Sequence, residues 1–326
     1  MPAASNALPD PAPAQAERAP ALSVLVAARD RPEALAACLA SVAAQTFADA
    51  EVVVLDDASA TPLDVPARAG ALPVRRLRSE APLGATGARN ALMRAARGQL
   101  FVFLDDDARF ETPNALATIA DVFAQDPAAA LLAFRVTDRT EAGTQPLLPY
   151  PRRWLARRPG LDRRAAPAAA FVACGYAQRR DATPDGGRYD ERLVYGHEEL
   201  ELAYRVLDAG HTIRYTPEVA VFHDRTQPVA TARSGAGGTA TRHWKTYFMT
   251  RNRLLVAWAH LPLRYLPSHL AIWTALHALD ALRHRHLGAF FAGLRDGVRD
   301  LAKTKRQPLS PRTVRYLRTH GGRLWY

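Results

Sequence analysis

Three short apolar runs, residues 22–27, 52–55 and 100–104, carry no polar alternation and each breaks off into polar residues. Runs of that length and pattern predict strands buried on both faces, as in a parallel sheet. Between them lie two helical patterns. Residues 32–45 open on a proline suited to a first turn, and residues 84–97 stop at Gly98, a natural C-terminal cap. The resulting β-α-β-α-β order predicts a doubly wound sheet, whose ligands gather at the carboxyl ends of the strands. The polar residues after each run are Arg29, Asp30 and Arg31, then Asp56, Asp57 and Ser59, then Asp105, Asp106 and Asp107. Their convergence predicts a site built mostly of carboxylates.

Further along, residues 137–167 are rich in Pro and Arg with little periodicity, and read as a long loop that orders on binding. Residues 171–178 read as a strand, Gly186-Gly187 as a turn, and residues 198–207 as a helix ending near Gly210. A strand pair at 212–215 and 218–222 leads to His223. Beyond residue 241 the pattern is helical: Leu287, Phe290, Phe291, Leu294, Val298 and Leu301 recur at helical spacing, with Arg295, Asp296, Arg299 and Asp300 opposite. Residues 254–279 are apolar but interrupted by His260, Arg264, His269 and two prolines, which fits lying on a membrane better than crossing one. Three segments follow: a disordered leader over 1–20, a catalytic domain over 21–240 and a basic, amphipathic helical extension over 241–326. The leader lacks the basic start and apolar core of a signal peptide.

Composition narrows this reading. The 326 residues are 48% hydrophobic and 23% charged, a globular balance that excludes wholesale disorder. Cys38 and Cys174 stand far apart, so neither a disulfide framework nor a thiolate zinc site is indicated, and a reducing, cytoplasmic setting fits. The net charge of +11 is not spread evenly. Sixteen of the 43 Lys and Arg lie from Thr241 onward against three Asp, a local net of +13, while the remainder carries 27 basic and 29 acidic residues. The excess points the tail toward an anionic partner such as the inner face of a membrane, although a basic tail can also be merely soluble. No nucleic acid is expected, because no recognised module accompanies the charge.

The apolar strand that ends in Asp105, Asp106 and Asp107 is the strongest chemical signal. Three adjacent acids at a strand end repel one another unless a cation offsets them, and oxygen ligands favour Mg²⁺ or Mn²⁺, with a diphosphate as natural co-ligand. The plainer alternative is a solvated acidic turn or helix cap.

Seven blocks then appear in order: SVLVAARDRPEALAACLASVAAQ, EVVVLDDAS, GATGARNALMRAARG, FVFLDDD, GGRYDE, GHEELELAYR and VFH. In residues and order they resemble the inverting glycosyltransferases of family 2. The resemblance implies an α/β fold of the GT-A type, a Rossmann-like, mostly parallel mixed sheet flanked by helices, here with a C-terminal helical extension. It implies nucleotide recognition by Ala28, Asp30, Asp56 and Asp57, with Arg89 and Gly187 near the donor and Asp106 facing its sugar. Asp105 and Asp107 match the metal motif, which His223 completes. Glu199, at a position where the family usually has Asp, matches the catalytic base, with Glu198 beside it. The implied reaction moves a sugar, with inversion, from a nucleotide-diphosphate donor to a glycan or lipid-linked acceptor hydroxyl, in cell-surface polysaccharide or glycolipid synthesis. Arg242, His243 and Lys245, followed by Arg251-Asn252-Arg253, resemble helical extensions in the family and read either as a site for the diphosphate or an anionic lipid carrier, or as a solvated helix face. Trp154 and Tyr176 read as packing.

Two rival classes remain. A sugar-phosphate nucleotidylyltransferase uses a similar sheet, but its Gly-rich first loop is replaced here by Ala27-Ala28-Arg29-Asp30-Arg31-Pro32. A non-catalytic nucleotide-sugar or polyanion-binding protein is the other, prompted by the basic tail and by Glu199. Oligomeric state is open.

Overall fold

A computed structural model describes residues 18–226 and 239–324. In chain order it contains β1 (Leu22–Ala28), α1 (Pro32–Ala43), β2 (Ala50–Asp57), β3 (Arg68–Ala69), β4 (Leu72–Ser79), α2 (Gly84–Ala95) and β5 (Leu100–Asp105). These are followed by β6 (Ala108–Phe110), α3 (Ala115–Gln125), β7 (Ala129–Thr140), β8 (Gly143–Leu147), α4 (Arg152–Ala156), β9 (Ala166–Ala168), β10 (Gly175–Arg179), α5 (Glu198–Asp208) and β11 (Thr212–Asp224). Four helices close the chain: α6 (Thr239–His260), α7 (Leu266–Arg283), α8 (Leu287–Leu301) and α9 (Pro311–Thr319).

The strands form one mixed sheet in the order β3-β4-β2-β1-β5-β10-β7-β11-β6, with β8 paired to β7 and β9 to β11. β4, β2, β1 and β5 run parallel, and β10 enters antiparallel between β5 and β7. Because strand side chains alternate between faces, each unalternated apolar strand feeds two cores. Leu25, Val53, Leu55, Phe101 and Phe103 point to the face covered by α2, α5 and the tail. Val24, Val26, Val52, Val54, Val102 and Leu104 point to the face covered by α1 and α3. Each such side chain, fully buried, contributes about 1.5–3 kcal/mol. The register sets Ala28 opposite Asp56 and Ala27 opposite Asp105, so the polar ends of β1, β2 and β5 share one edge.

The long loop expected over 137–167 is replaced by structure. β7 continues to Thr140 and turns into β8, followed by α4 and β9. Its Pro and Arg content hid this because β8 is a solvent-facing edge strand, where Pro146 costs no ladder bond and an apolar pattern is not required. The strand expected over 171–178 begins only at Gly175. The pair expected at 212–215 and 218–222 is a single strand, β11, with an irregularity between Thr216 and Ala220. Of the expected leader, residues 1–17 lie outside the described residues, while Arg18 pairs with Asp49 beside β2.

The helical extension shares the core of the sheet domain: Val256, Ala257, Leu261, Leu266, Val314 and Leu317 join the cluster that includes Phe103 and Tyr176. α6 and α8 meet through glycines. A Cβ on Gly293 would stand 2.5 Å from the Tyr247 carbonyl oxygen, and one on Gly297 would stand 2.7 Å from Leu254 Cδ1. The small-residue side of α8 therefore faces inward together with Phe290, leaving Phe291 and Val298 exposed alongside Leu276, Leu279 and Leu282 of α7. No described helix is long and apolar enough to cross a membrane.

Candidate active site

The shared edge gathers the acids that end β5. Asp105, Asp107 and His223 each offer a ligand atom, all within 4.8 Å of one another. His223 reaches the edge from β11, where it lies opposite Ala108 of β6. Its Nδ1 hydrogen-bonds Asp138 Oδ1 at 2.8 Å, and Asp138 is also forked by Arg225, so the ring is fixed with Nε2 toward the acids, 3.2 Å from Asp107 Oδ1. A carboxylate behind a ligating imidazole is the usual device for orienting such a ring. Asp107 Oδ1 is buried with no hydrogen-bond donor aligned on it. Two carboxylates and an imidazole whose ligand atoms converge within 4.8 Å fit a divalent cation.

Two arginines offset the acids. Arg31 donates to Asp107 Oδ2 at 2.7 Å and forks Asp106, with Nε 3.0 Å from Oδ2. Asp106 is thus buried and taken up by Arg31. Burial, opposed by Arg31, pushes the Asp106 carboxyl up to about 7. Burial works against the Asp107 carboxylate too, but His223 and Arg31 outweigh it and hold it below the usual range.

Arg89, buried in α2, joins the edge to α5: its Nη2 donates to Asp105 Oδ1 at 3.0 Å, and its Nη1 lies 3.8 Å from Glu198 Oε1. Glu198 is buried against this guanidinium. Glu199 instead lines a cavity of about 190 Å³ with Phe171 and Leu200. Burial and the neighbouring Glu198, opposed by Arg89, push the Glu199 carboxyl up to about 8. The turn before these acids is strained: Val194 (φ 41°) and His197 (φ 70°) are left-handed without being glycine, and a Cβ on Gly196 would meet Met249 Sδ at 2.5 Å. Asn252 of α6 clamps it, its amide donating to the carbonyls of Leu193, Tyr195 (2.8 Å) and Gly196 (3.0 Å).

The remaining sequence candidates sit as follows. Ala28 is buried at the end of β1. Asp30 Oδ1 accepts from the Ala60 amide at 2.6 Å, and the Asp30 amide donates to Ser59 Oγ at 2.8 Å, tying together the loops after β1 and β2. Asp56 accepts from the amides of Ser59 and Leu63 and from Arg78; Asp57 accepts from Ser79 Oγ and from the amides of Leu83 and Gly84. In this structure those two carboxylates shape the chain itself. Gly187 stands apart from the acidic edge: it packs on Gln178, which pairs with Phe101 toward the start of β5. Tyr176 is stacked on Phe103 in the core and Trp154 packs under Arg158 and Gly321. Arg251 pairs with Asp300, Asn252 is the clamp, and Arg242 lies outside the described side chains. Asp138 was not singled out from sequence, and Asn252 was read only as part of the Arg251-Asn252-Arg253 run rather than as a clamp. Arg31 had a visible signal in its place after the first strand, whereas Asp138 lay in the segment read as loop.

Residues 23–184 match the sequence family described as "Glycosyl transferase family 2". Through that span the chain belongs to glycosyltransferase family 2. It is 32% identical over 186 residues to the pre-mycofactocin glycosyltransferase of Mycobacterium tuberculosis, a match covering 54% of this chain and 38% of that protein. The chain thus matches little more than a third of that relative's length. Among solved structures, it resembles S. aureus TarS 1-349 in complex with UDP-GlcNAc, with TM-score 0.61 and 14% identity over 86% of this chain and 81% of that one. It also resembles the mannosyltransferase PcManGT from Pyrobaculum calidifontis in complex with GDP-Man and Mn²⁺, with TM-score 0.51 and 17% identity over 93% and 80%. The mixed sheet with helices on both faces and further helices after it is the GT-A arrangement of these neighbours. Glu199 and His223 lie beyond the matched family span.

Proposed function

We propose that this family 2 member transfers a sugar from a nucleotide-diphosphate donor to an acceptor hydroxyl with inversion at the anomeric carbon. One observation carries the reading: Asp105, Asp107 and His223 meet at one strand edge, and Arg89 connects that edge to the glutamates opening α5. The solved neighbours with UDP-GlcNAc and with GDP-Man and Mn²⁺ support a nucleoside diphosphate sugar as donor. Asp105, Asp107 and His223 would hold Mg²⁺ or Mn²⁺, which when bound offsets the charge developing on the diphosphate leaving group. Ala28, Asp30, Asp56 and Asp57 edge the nucleotide side of the cleft. Glu199, facing the cavity with a raised affinity for protons, takes the proton from the acceptor hydroxyl as it attacks from the face opposite the nucleotide. Glu198 keeps Arg89 in place and raises Glu199.

The test is a screen of nucleotide sugars for binding with Mn²⁺ and with EDTA, followed by turnover and the anomeric configuration of the product by NMR. Release of nucleoside diphosphate with an inverted product is expected, and Glu199→Gln lowers turnover by roughly 10²- to 10⁴-fold with nucleotide binding kept. Release of pyrophosphate would assign the site to nucleotidyl transfer instead, and metal-independent binding without turnover to a non-catalytic binder.

A peripheral membrane location is favoured by the exposed face of α7 and α8. Leu279, Leu282, Phe291 and Val298 are each more than half exposed, beside Arg283, Arg285, Arg295 and Arg299. Apolar side chains flanked by cations suit the anionic inner face of a cell membrane, where a lipid-linked acceptor would be presented.

A further inference from the structure

The cavity beside Glu199 is also lined by two arginines. Glu199 and His197, at the start of α5, line it together with the aromatic Tyr150 and Phe171, with Arg253 of α6 and with Arg323. Its volume of about 190 Å³ is below that of drug-sized pockets and suits a single small ring. Resting on the transferase reading, we propose that this cavity is the acceptor subsite and that the acceptor is a hydroxylated molecule bearing an oxyanion, a carboxylate or a phosphate monoester, received by Arg253 and Arg323.

Arg253 is the main ground. Only 3% of its surface is exposed, yet no carboxylate pairs with it among the described residues. Its guanidinium lies 3.8 Å above the Trp273 ring, one Nη is 3.4 Å from His269 Nε2, and Nε has no partner. The other deeply placed arginines behave differently: Arg31 pairs with Asp106, Arg89 with Asp105 and Arg205 with Glu201. A buried guanidinium is costly unless a counter-charge meets it, and its fork matches a carboxylate or phosphate.

Apart from Glu199, the residues lining the cavity add no carboxylate. Burial and Arg253 hold His197 neutral and bring His269 down to about 4. Arg323 also lines the cavity without an ion pair among the described residues, and Glu199 pairs with neither arginine. The cavity therefore holds both a proton acceptor and a cation that no carboxylate meets among the described residues. A ligand spanning it puts a hydroxyl at Glu199 only if its own negative charge sits on the arginines, which selects the acceptor and fixes which hydroxyl reacts.

The test uses the full chain in EDTA, so that the strand-edge acids contribute no metal-bound nucleotide site, with D-glucuronate, D-glucose 6-phosphate and D-glucose as probes. Binding is read by competition saturation-transfer NMR and by Trp fluorescence. At least one anionic probe is expected to bind tenfold or more tightly than glucose. Glucuronate leading assigns a carboxylate, and glucose 6-phosphate leading assigns a phosphate. Arg253→Gln and Arg323→Gln should each remove most of that preference, with Arg253→Lys retaining part. Arg323 is exposed, so its variant reports even where Arg253→Gln does not fold. Equal binding of glucose and both anions by the wild-type protein, or an anion preference that survives Arg323→Gln, overturns the proposal. Mn²⁺-dependent nucleotide binding is measured separately: its loss would sink the transferase reading and leave the anion result standing, and the reverse also holds.

Discussion

Replacing Asn252 with alanine tests whether the C-terminal helices position the reacting acids or merely cover them. Asn252 is fully buried, and its two amide hydrogens serve three carbonyls of the turn before α5. Losing two net hydrogen bonds at about 1 kcal/mol each, with one carbonyl left stranded, costs roughly 3 kcal/mol. At an unfolding entropy of about 2.1 cal/mol/K per residue, that is a fall of about 4 °C in Tm for a chain of this length. The turn, with Val194 and His197 in left-handed backbone, loses its clamp and shifts. A displacement of about 1 Å at Glu199 lowers kcat by roughly 10²-fold. The donor-side acids are held by β5 and β11, so KM for the donor should stay within about twofold. Thermal unfolding and steady-state kinetics on the same preparation decide the matter. A lower Tm with wild-type kcat would refute the positioning argument, and an unchanged Tm would refute the hydrogen-bond accounting.

Four other expectations follow from the same geometry. With the Glu199 carboxyl raised to about 8 by burial and Glu198, the active form is the ionised one, so kcat/KM should rise about tenfold per pH unit below 8 and level off above it; a flat profile from pH 6 to 9 removes Glu199 as the base. Asp138→Ala should weaken Mn²⁺ binding about 10- to 100-fold by freeing the His223 ring, measured by titration calorimetry, and unchanged affinity would contradict the orienting role. Glu201, held down at about 2 by His260 and Arg205 against its burial, stabilises the fold fully above its unfolded value of 4.5 and loses that contribution as pH falls toward 2. The contribution is about 3 kcal/mol, so urea midpoints should drop between pH 5 and 2.5 in the wild type and far less in Glu201→Gln. Phe291→Glu should abolish binding to anionic vesicles without lowering Tm, and retained binding would move the membrane contact elsewhere.

The sheet was legible where burial leaves a sequence signature. β1, β2 and β5 are enclosed on both faces, so their apolar runs and their polar ends read directly, and the register then brings Asp56 and Asp105 to one edge. β8 was not legible, because an exposed edge strand has no apolar pattern to display. The partners inside the site were equally hidden. That Asp106 turns to Arg31, and that His223 rests on Asp138 from β7, depends on pairings between segments 75 and 85 residues apart. Gly187 is instructive in another way: it resembled a donor contact, yet its turn is packed on Gln178. The tail read as an amphipathic helix, but its heptad-like leucines and phenylalanines gave no warning that Gly293 and Gly297 make the inward contact.

The strand-edge cation site is tested most directly by anomalous diffraction from crystals grown with Mn²⁺ and a nucleoside diphosphate. The account predicts one Mn²⁺ peak within ligand distance of Asp105, Asp107 and His223, with the diphosphate on the same ion and Glu199 facing the adjoining cavity. A crystal in which the diphosphate binds without Mn²⁺ at those residues, the acids still held by Arg31 and Arg89, would contradict it.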